Sequence, residues 1–239
     1  MVFDDIAILS VITLSTSTIA AVFGFGGGMI LVATLPNILP VSAIIPVHSA
    51  VQLISNSSLA VFSWRSIHWA IVRDHLIGAC IGITAAYLLL RDLDLTMTPA
   101  IIGAYILISL WSSSFSALMA RIESFQILGA IQAGLSLIVG ATGSLQLPAL
   151  LRTLTNHHQV VSTIGVLVTT DHLLKLIIFY AVGFEFIDYA PSIACMSAAA
   201  VMGSYCGTLI RRRVDMTRHV WVIKLLLSAL AVSAIHGSF

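Results

Sequence analysis

Apolar residues run along this chain in eight stretches separated by short polar turns, roughly 6–35, 41–63, 71–90, 99–120, 125–151, 160–184, 190–210 and 219–236. About 20 apolar residues suffice for one helical crossing of a bilayer, so each stretch predicts a membrane helix. The first and fifth are too long for one simple span. Each contains a glycine cluster: Gly24-Phe25-Gly26-Gly27-Gly28 in the first, Gly140-Ala141-Thr142-Gly143-Ser144 in the fifth. Prolines follow at Pro36, Pro40 and Pro46 in one half and at Pro148 in the other. Glycine and proline break helices, and a broken helix in lipid exposes peptide N–H and C=O groups that must find partners. Such backbone is tolerated where it is buried in protein or lines a polar cavity. Two interrupted segments in corresponding places are the sequence sign of a substrate site in a secondary transporter.

Composition narrows the class further. The 239 residues are 59% hydrophobic and 9% charged, with a mean hydropathy of +1.05; soluble domains carry about 25% charged residues. A net charge of +1 with scattered arginines leaves no footprint for nucleic acid. Cys80, Cys195 and Cys206 lie in apolar runs without ligand or disulfide spacing and are expected to pack the core. The start, Met1 to Asp5, is acidic where a signal peptide would be basic, and is expected to belong to the mature protein.

Charges set the expected topology. Arg65 and Arg73 flank the second turn, Arg121 marks the fourth, and Arg211, Arg212, Arg213 and Arg218 crowd the seventh. The positive-inside rule places all three in the cytoplasm. Glu185 and Asp188 in the sixth turn, and Arg91 with Asp92 and Asp94 in the third, suit the outside. One crossing per segment would put the second and seventh turns on opposite faces. The conflict disappears if segments one plus two, and five plus six, each make an odd number of crossings, with the chain turning back at the glycine clusters. The expectation is an all-α integral membrane protein of two inverted repeats, 1–122 and 123–239, forming one domain with both termini outside. Gly78-x-x-x-Gly82 and Gly203-x-x-x-Gly207, in equivalent segments, allow close helix approach in lipid. Trp64 and Trp69 bracket the second turn as interface anchors.

The Gly-x-Gly-Gly-Gly cluster, the His48-x-x-x-Gln52-x-x-x-Asn56 run and the Trp64-Arg65-x-x-x-Trp69 turn together resemble the TauE/SafE sulfite exporter family, also called TSUP. The resemblance spans essentially the whole chain. It implies a multi-pass protein of the cell (inner) membrane, without enzyme activity or cofactor. It also implies transport of small sulfur-containing anions such as sulfite, thiosulfate or organosulfonates. The chain departs from the family pattern in the second half, where Gly-Ala-Thr-Gly-Ser replaces a glycine triplet, and at Ala33, where proline is frequent.

The residues themselves suit an anion. A helix that starts at a glycine turn presents unpaired N–H groups and about half a positive charge. Two such ends, near Gly26 to Gly28 and near Thr142 to Ser144, would face one central point. The candidate substrate-binding set is Gly24, Gly26, Gly27, Gly28, His48, Gln52, Asn56, Gly140, Thr142, Gly143, Ser144 and Gln146. For the glycines the alternative is tight helix crossing; for Gln52, Asn56 and Gln146 it is interhelical hydrogen bonding. Asp171, His172 and Lys175 lie deep in segment six, where ionisable groups are costly. Asp171 and Lys175 are spaced to form an i,i+4 ion pair that holds the bundle together. The functional alternative has Lys175 attracting the anion while Asp171, His172 or His48 carries a coupling proton. His157 and His158 point different ways on a helix and hold no metal site. Expected partners are a small anion, the lipid bilayer, protons and a second copy of the chain. Two competitors are a passive channel on the same scaffold and an intramembrane serine hydrolase built on Ser144 and His172.

Overall fold

The structure is a computed structural model that describes residues 3–90, 96–211 and 220–238. All regular structure among these residues is helical. Eleven α-helices follow in order: α1 (Phe3–Phe23), α2 (Gly27–Thr34), α3 (Val41–Phe62), α4 (Trp69–Leu90), α5 (Thr98–Trp111), α6 (Ser113–Arg121), α7 (Phe125–Val139), α8 (Leu147–Thr153), α9 (His157–Ala181), α10 (Ala190–Arg211) and α11 (Val220–His236). Among the described residues, five helices are long and apolar enough to cross a membrane. The protein is a multi-pass membrane protein. Arg91, Asp92, Asp94, Arg212, Arg213 and Arg218, which entered the charge argument, lie outside the described residues, as do Met1 and Phe239.

Three of the eight apolar stretches are broken. In the first and fifth the break falls at the glycines, because Gly24, Gly26 and Gly140 take φ values of +80°, +87° and +76°. Only glycine adopts these cheaply. The chain then doubles back. A Cβ on Gly27 would overlap the Thr16 carbonyl oxygen and come within 2.8 Å of Ala20 Cβ. In a continuous helix residues 16 and 27 would stand about 16 Å apart. Likewise Thr142 Oγ1 donates to the Gln132 carbonyl at 3.1 Å, ten residues back. The third break was not expected from hydropathy. At Ser112, α6 turns 79° away from α5, and the Ser112 hydroxyl accepts the Phe115 N–H as an N-cap.

Helix directions follow from the contacts. Gly78 and Gly82 of α4 abut Gln126 and Ala130 of α7, and Gly203 and Gly207 of α10 abut Leu14 and Thr18 of α1. Both pairs therefore run parallel. His48 of α3 meets His172 of α9, while Gly165 of α9 faces Asn56 and Leu59, so that pair is antiparallel. Gly103 of α5 meets Ile235 of α11, and Leu110 accepts from Lys224, again antiparallel.

Arg211, at the end of α10, donates to the Ala21 carbonyl near the end of α1 and to Ser63 after α3. The turn bearing Arg65 and the end of α10 thus share a face. The parallel pair α4 and α7 brings the Arg121 turn to that same face. The three cysteines correct one expectation: all are exposed on the helix surfaces rather than packed in the core.

The two Gly-x-x-x-Gly motifs set these parallel contacts. A Cβ at Gly78, Gly82 or Gly203 would overlap a carbonyl oxygen of the partner helix. Backbone cannot retreat as a flexible side chain can. Gly82→Val is therefore expected to separate α4 from α7 and to abolish the monodisperse peak of purified protein in size-exclusion chromatography. Gly183→Ala, in an open turn with nothing within 4 Å, should carry only the strain of its positive φ and keep the peak.

Candidate functional site

Between the two glycine breaks lies a small cavity of about 40 Å³. Its walls bring together Gly24, Gly26 and Gly28 from the first break, Gly143 and Ser144 from the second, Gln52 and Asn56 from α3, and His172 from α9. Seven of these belong to the expected substrate-binding set, and His172 was expected as a proton carrier. Ala20, Phe25, Met29, Ala141 and Val168 complete the lining. The walls are built of matched positions: Phe25 and Ala141, Gly28 and Ser144, Gln52 and Val168, Asn56 and His172 are each separated by the same interval along the chain.

Local geometry decides which way the polar groups point. Asn56 Nδ2 donates to the Gln52 carbonyl at 2.9 Å and to Gln52 Oε1 at 3.0 Å. That fixes the oxygen end of the Gln52 amide and turns its NH2 group toward Gly28, whose Cβ position lies 3.5 Å from Gln52 Nε2. Gln52 is buried, and among the described residues its Nε2 has no hydrogen-bond partner. A buried donor without an acceptor is costly. Gly28 has no side chain to fill the space before it. Ser144 directs its hydroxyl to Met29 Sδ at 3.9 Å and makes no hydrogen bond to His172, so the two do not form a nucleophile and base.

Five expected residues stand behind the cavity wall rather than in it. His48 Nε2 lies 3.0 Å from the Gly28 carbonyl; since a carbonyl only accepts, Nε2 carries the proton and donates. The His48 and His172 rings meet edge to face, 5.4 Å apart. Thr142 is tied to Gln132, and Gln146 Nε2 donates to His75 Nδ1 at 2.6 Å. Gly27 packs against α1, so its expected place in the anion site is corrected: the Thr16 carbonyl and Ala20 occupy the space where its side chain would go. Gly140 turns its carbonyl to Lys175. Gly27→Leu should therefore fail at folding, not at ligand binding, whereas Gly28→Ala should fold with an unchanged thermal midpoint and narrow the cavity. Expression and thermal unfolding of the two variants separate these outcomes.

The expected Asp171–Lys175 pair is also corrected. Lys175 Nζ donates to the Gly140 carbonyl at 2.6 Å, while Asp171 accepts from His75 Nε2 at 2.9 Å and from Gln132 Nε2 at 2.7 Å. The broken backbone at Gly140 offers a bare carbonyl that a helix would have used, and the ammonium takes it. His75 was missed in the sequence. It follows Arg73 and Asp74 and so looks like part of an interfacial turn, yet it is fully buried on the α4 face that packs against α7. The Gln146 amide donates to Nδ1, and His75 in turn donates from Nε2 to Asp171. The result is a buried chain, Gln146–His75–Asp171–Gln132, joining the second break to α4, α9 and α7.

No curated protein and no solved structure matches the chain. The family model described as Sulfite exporter TauE/SafE matches residues 9–234. That family consists of membrane transporters rather than enzymes, and it agrees with a helical membrane bundle whose two broken segments enclose a donor-lined cavity. The chain belongs to the TauE/SafE sulfite exporter family.

Proposed function

We propose that the protein is a secondary transporter that binds a small sulfur-containing oxyanion in the cavity between the two glycine breaks, near the middle of the membrane. The observation that carries this is the unpartnered Gln52 Nε2, a buried donor aimed at a space bounded by Gly28. An anion supplies the acceptor that this amide lacks. The cavity has room for roughly three waters, which suits sulfite or thiosulfate better than an extended organic acid. Ser144 and the backbone of the two breaks add donors, and the buried Lys175 ammonium adds positive charge behind Gly140.

Two inverted repeats, 1–122 and 123–239, underlie this site. The constant interval between matched wall residues supports the repeat. The helix directions support the inversion: α1 runs toward the arginine-bearing face and α7 away from it, α3 toward it and α9 away. With that face in the cytoplasm of the inner membrane, both termini lie outside.

The anion moves with a proton, carried at the His48–His172 contact. Both rings are buried, and among the described residues both Nδ1 atoms lack partners. The test is counterflow in liposomes containing purified protein, with sulfite, thiosulfate, sulfate, taurine and small carboxylates. Saturable exchange of a sulfur oxyanion is the expected result. Exchange limited to carboxylates, or none, overturns the substrate assignment. His172→Gln should flatten the pH dependence of exchange while retaining anion binding. Exchange by the parent that is independent of pH removes the proton from the mechanism.

A further inference from the structure

A second, larger cavity of about 210 Å³ stands against the first. It lies where α6 bends away from α5, and its walls include Ser109, Ser116 of α6, and Lys224 of α11. Two residues, Phe25 and Ser144, line both cavities. They are the partition between the two spaces.

Most of the wall of the larger cavity is apolar, from Leu110, Phe115, Met119, Leu145, Leu147 and Pro148, and its polarity comes from three serines and Lys224. Among the described residues no carboxylate lines it. Lys224 supplies its only charge among the described residues, and the ammonium makes one hydrogen bond, to the Leu110 carbonyl at 3.3 Å. Otherwise it rests 5.6 Å from the ring centres of Trp111 and Trp221. Paired tryptophans belong at the membrane–water interface, so Lys224 stands at the mouth where an anion leaves water. An ammonium has three N–H donors, and among the described residues one is used.

The partition is unequal. Ser144 is small, and Phe25 presents the bulk. Phe25 is set between Gly24 and Gly26, both at positive φ. Its backbone thus sits on the only residues that can change between left- and right-handed conformations without steric cost. At the matched position in the second half stands Ala141, with no ring to close anything.

We propose that the Lys224 vestibule is the staging site for a small inorganic oxyanion or sulfonate on the arginine-bearing face, and that Phe25 is the plug separating it from the central cavity. The proposal rests on the transport function above and adds the route and its gate. An anion attracted by Lys224 passes between Phe25 and Ser144 to reach Gln52. Movement of the ring on its glycine-flanked hinge opens the way.

Cysteine accessibility in the full-length protein, with Cys80, Cys195 and Cys206 replaced by serine, tests this without any transported substrate. Ser116→Cys reports the vestibule and Ala141→Cys the central cavity. An anionic methanethiosulfonate should label Ser116→Cys about tenfold faster than a cationic one, as a single-signed site concentrates counter-ions. Lys224→Gln should erase that preference and Lys224→Arg should keep it. Phe25→Ala should speed labelling of Ala141→Cys at least tenfold. Phe25→Leu, a smaller cut that guards against misfolding, should give an intermediate rate. Equal labelling by the two reagents whatever stands at 224 overturns the vestibule, and an Ala141→Cys rate unmoved by both Phe25 variants overturns the plug. In liposomes, Phe25→Ala should also raise passive sulfite efflux. If labelling behaves as expected and the parent moves no anion, the transport function falls while the route stands.

Discussion

Gln52→Glu is expected to abolish binding of the transported anion, and Gln52→Leu to weaken it about tenfold or more. The amide is held from behind. Asn56 engages its oxygen, so the NH2 group has one direction left, into the cavity. A hydrogen bond to a charged partner contributes about 1.5–3 kcal/mol, and each 1.4 kcal/mol is tenfold in affinity. Leucine removes that donor and leaves the cavity shape nearly intact. Glutamate goes further by placing a second negative charge beside the first in a space without bulk water, where like charges repel strongly. Asn56→Asp should weaken binding by a different route. Its carboxylate cannot donate to Gln52 Oε1, so the Gln52 amide is free to turn. Isothermal titration with sulfite on purified protein reads all three. Parental affinity in Gln52→Glu would show that the anion binds elsewhere.

The residues explain how much of this was legible beforehand. Hydropathy marked the apolar stretches in which the helices lie, though among the described residues only five helices are long and apolar enough to cross a membrane, and the glycine clusters marked two of the three breaks. The break at Ser112 escaped because its signal is a single serine cap inside an apolar stretch, a local hydrogen bond that hydropathy does not see. The arginine bias led to the expectation of an odd number of crossings around each cluster. Seven of the cavity residues were expected as binding residues from spacing and from the breaks, and His172 was expected as a coupling residue because it is ionisable and deep in an apolar stretch. Gly27 was misassigned because sequence cannot tell a glycine that clears room for a ligand from one that clears room for a helix. The same limit hid the partners of Asp171. Its spacing to Lys175 is correct for a pair on one helix. His75 and Gln132, however, lie on helices distant in sequence, and only packing brings their donors to the carboxylate.

That packing yields the second large prediction. Asp171→Ala is expected to lower stability by about 3–5 kcal/mol, the range for removing one member of a buried charged network. The loss arises from what remains. His75 Nε2–H and Gln132 Nε2–H would both face the gap, and neither is within reach of water, since both residues are fully buried. Lys175 would keep its bond to Gly140 and lose the nearest negative charge on its own helix. Asp171→Asn should be much milder. Its carbonyl oxygen still accepts from His75, and its NH2 group can donate to Gln132 once that amide turns, using the Gln132 Oε1 that has no partner among the described residues. A simple i,i+4 ion pair predicts a different order, because asparagine and alanine remove the same charge and would destabilise alike. Thermal unfolding in detergent distinguishes the two. The network requires Ala far below Asn, and a double-mutant cycle with His75→Leu should show strong coupling between positions 75 and 171. Equal midpoints for the two Asp171 variants, together with additive effects of His75→Leu, would return the carboxylate to Lys175.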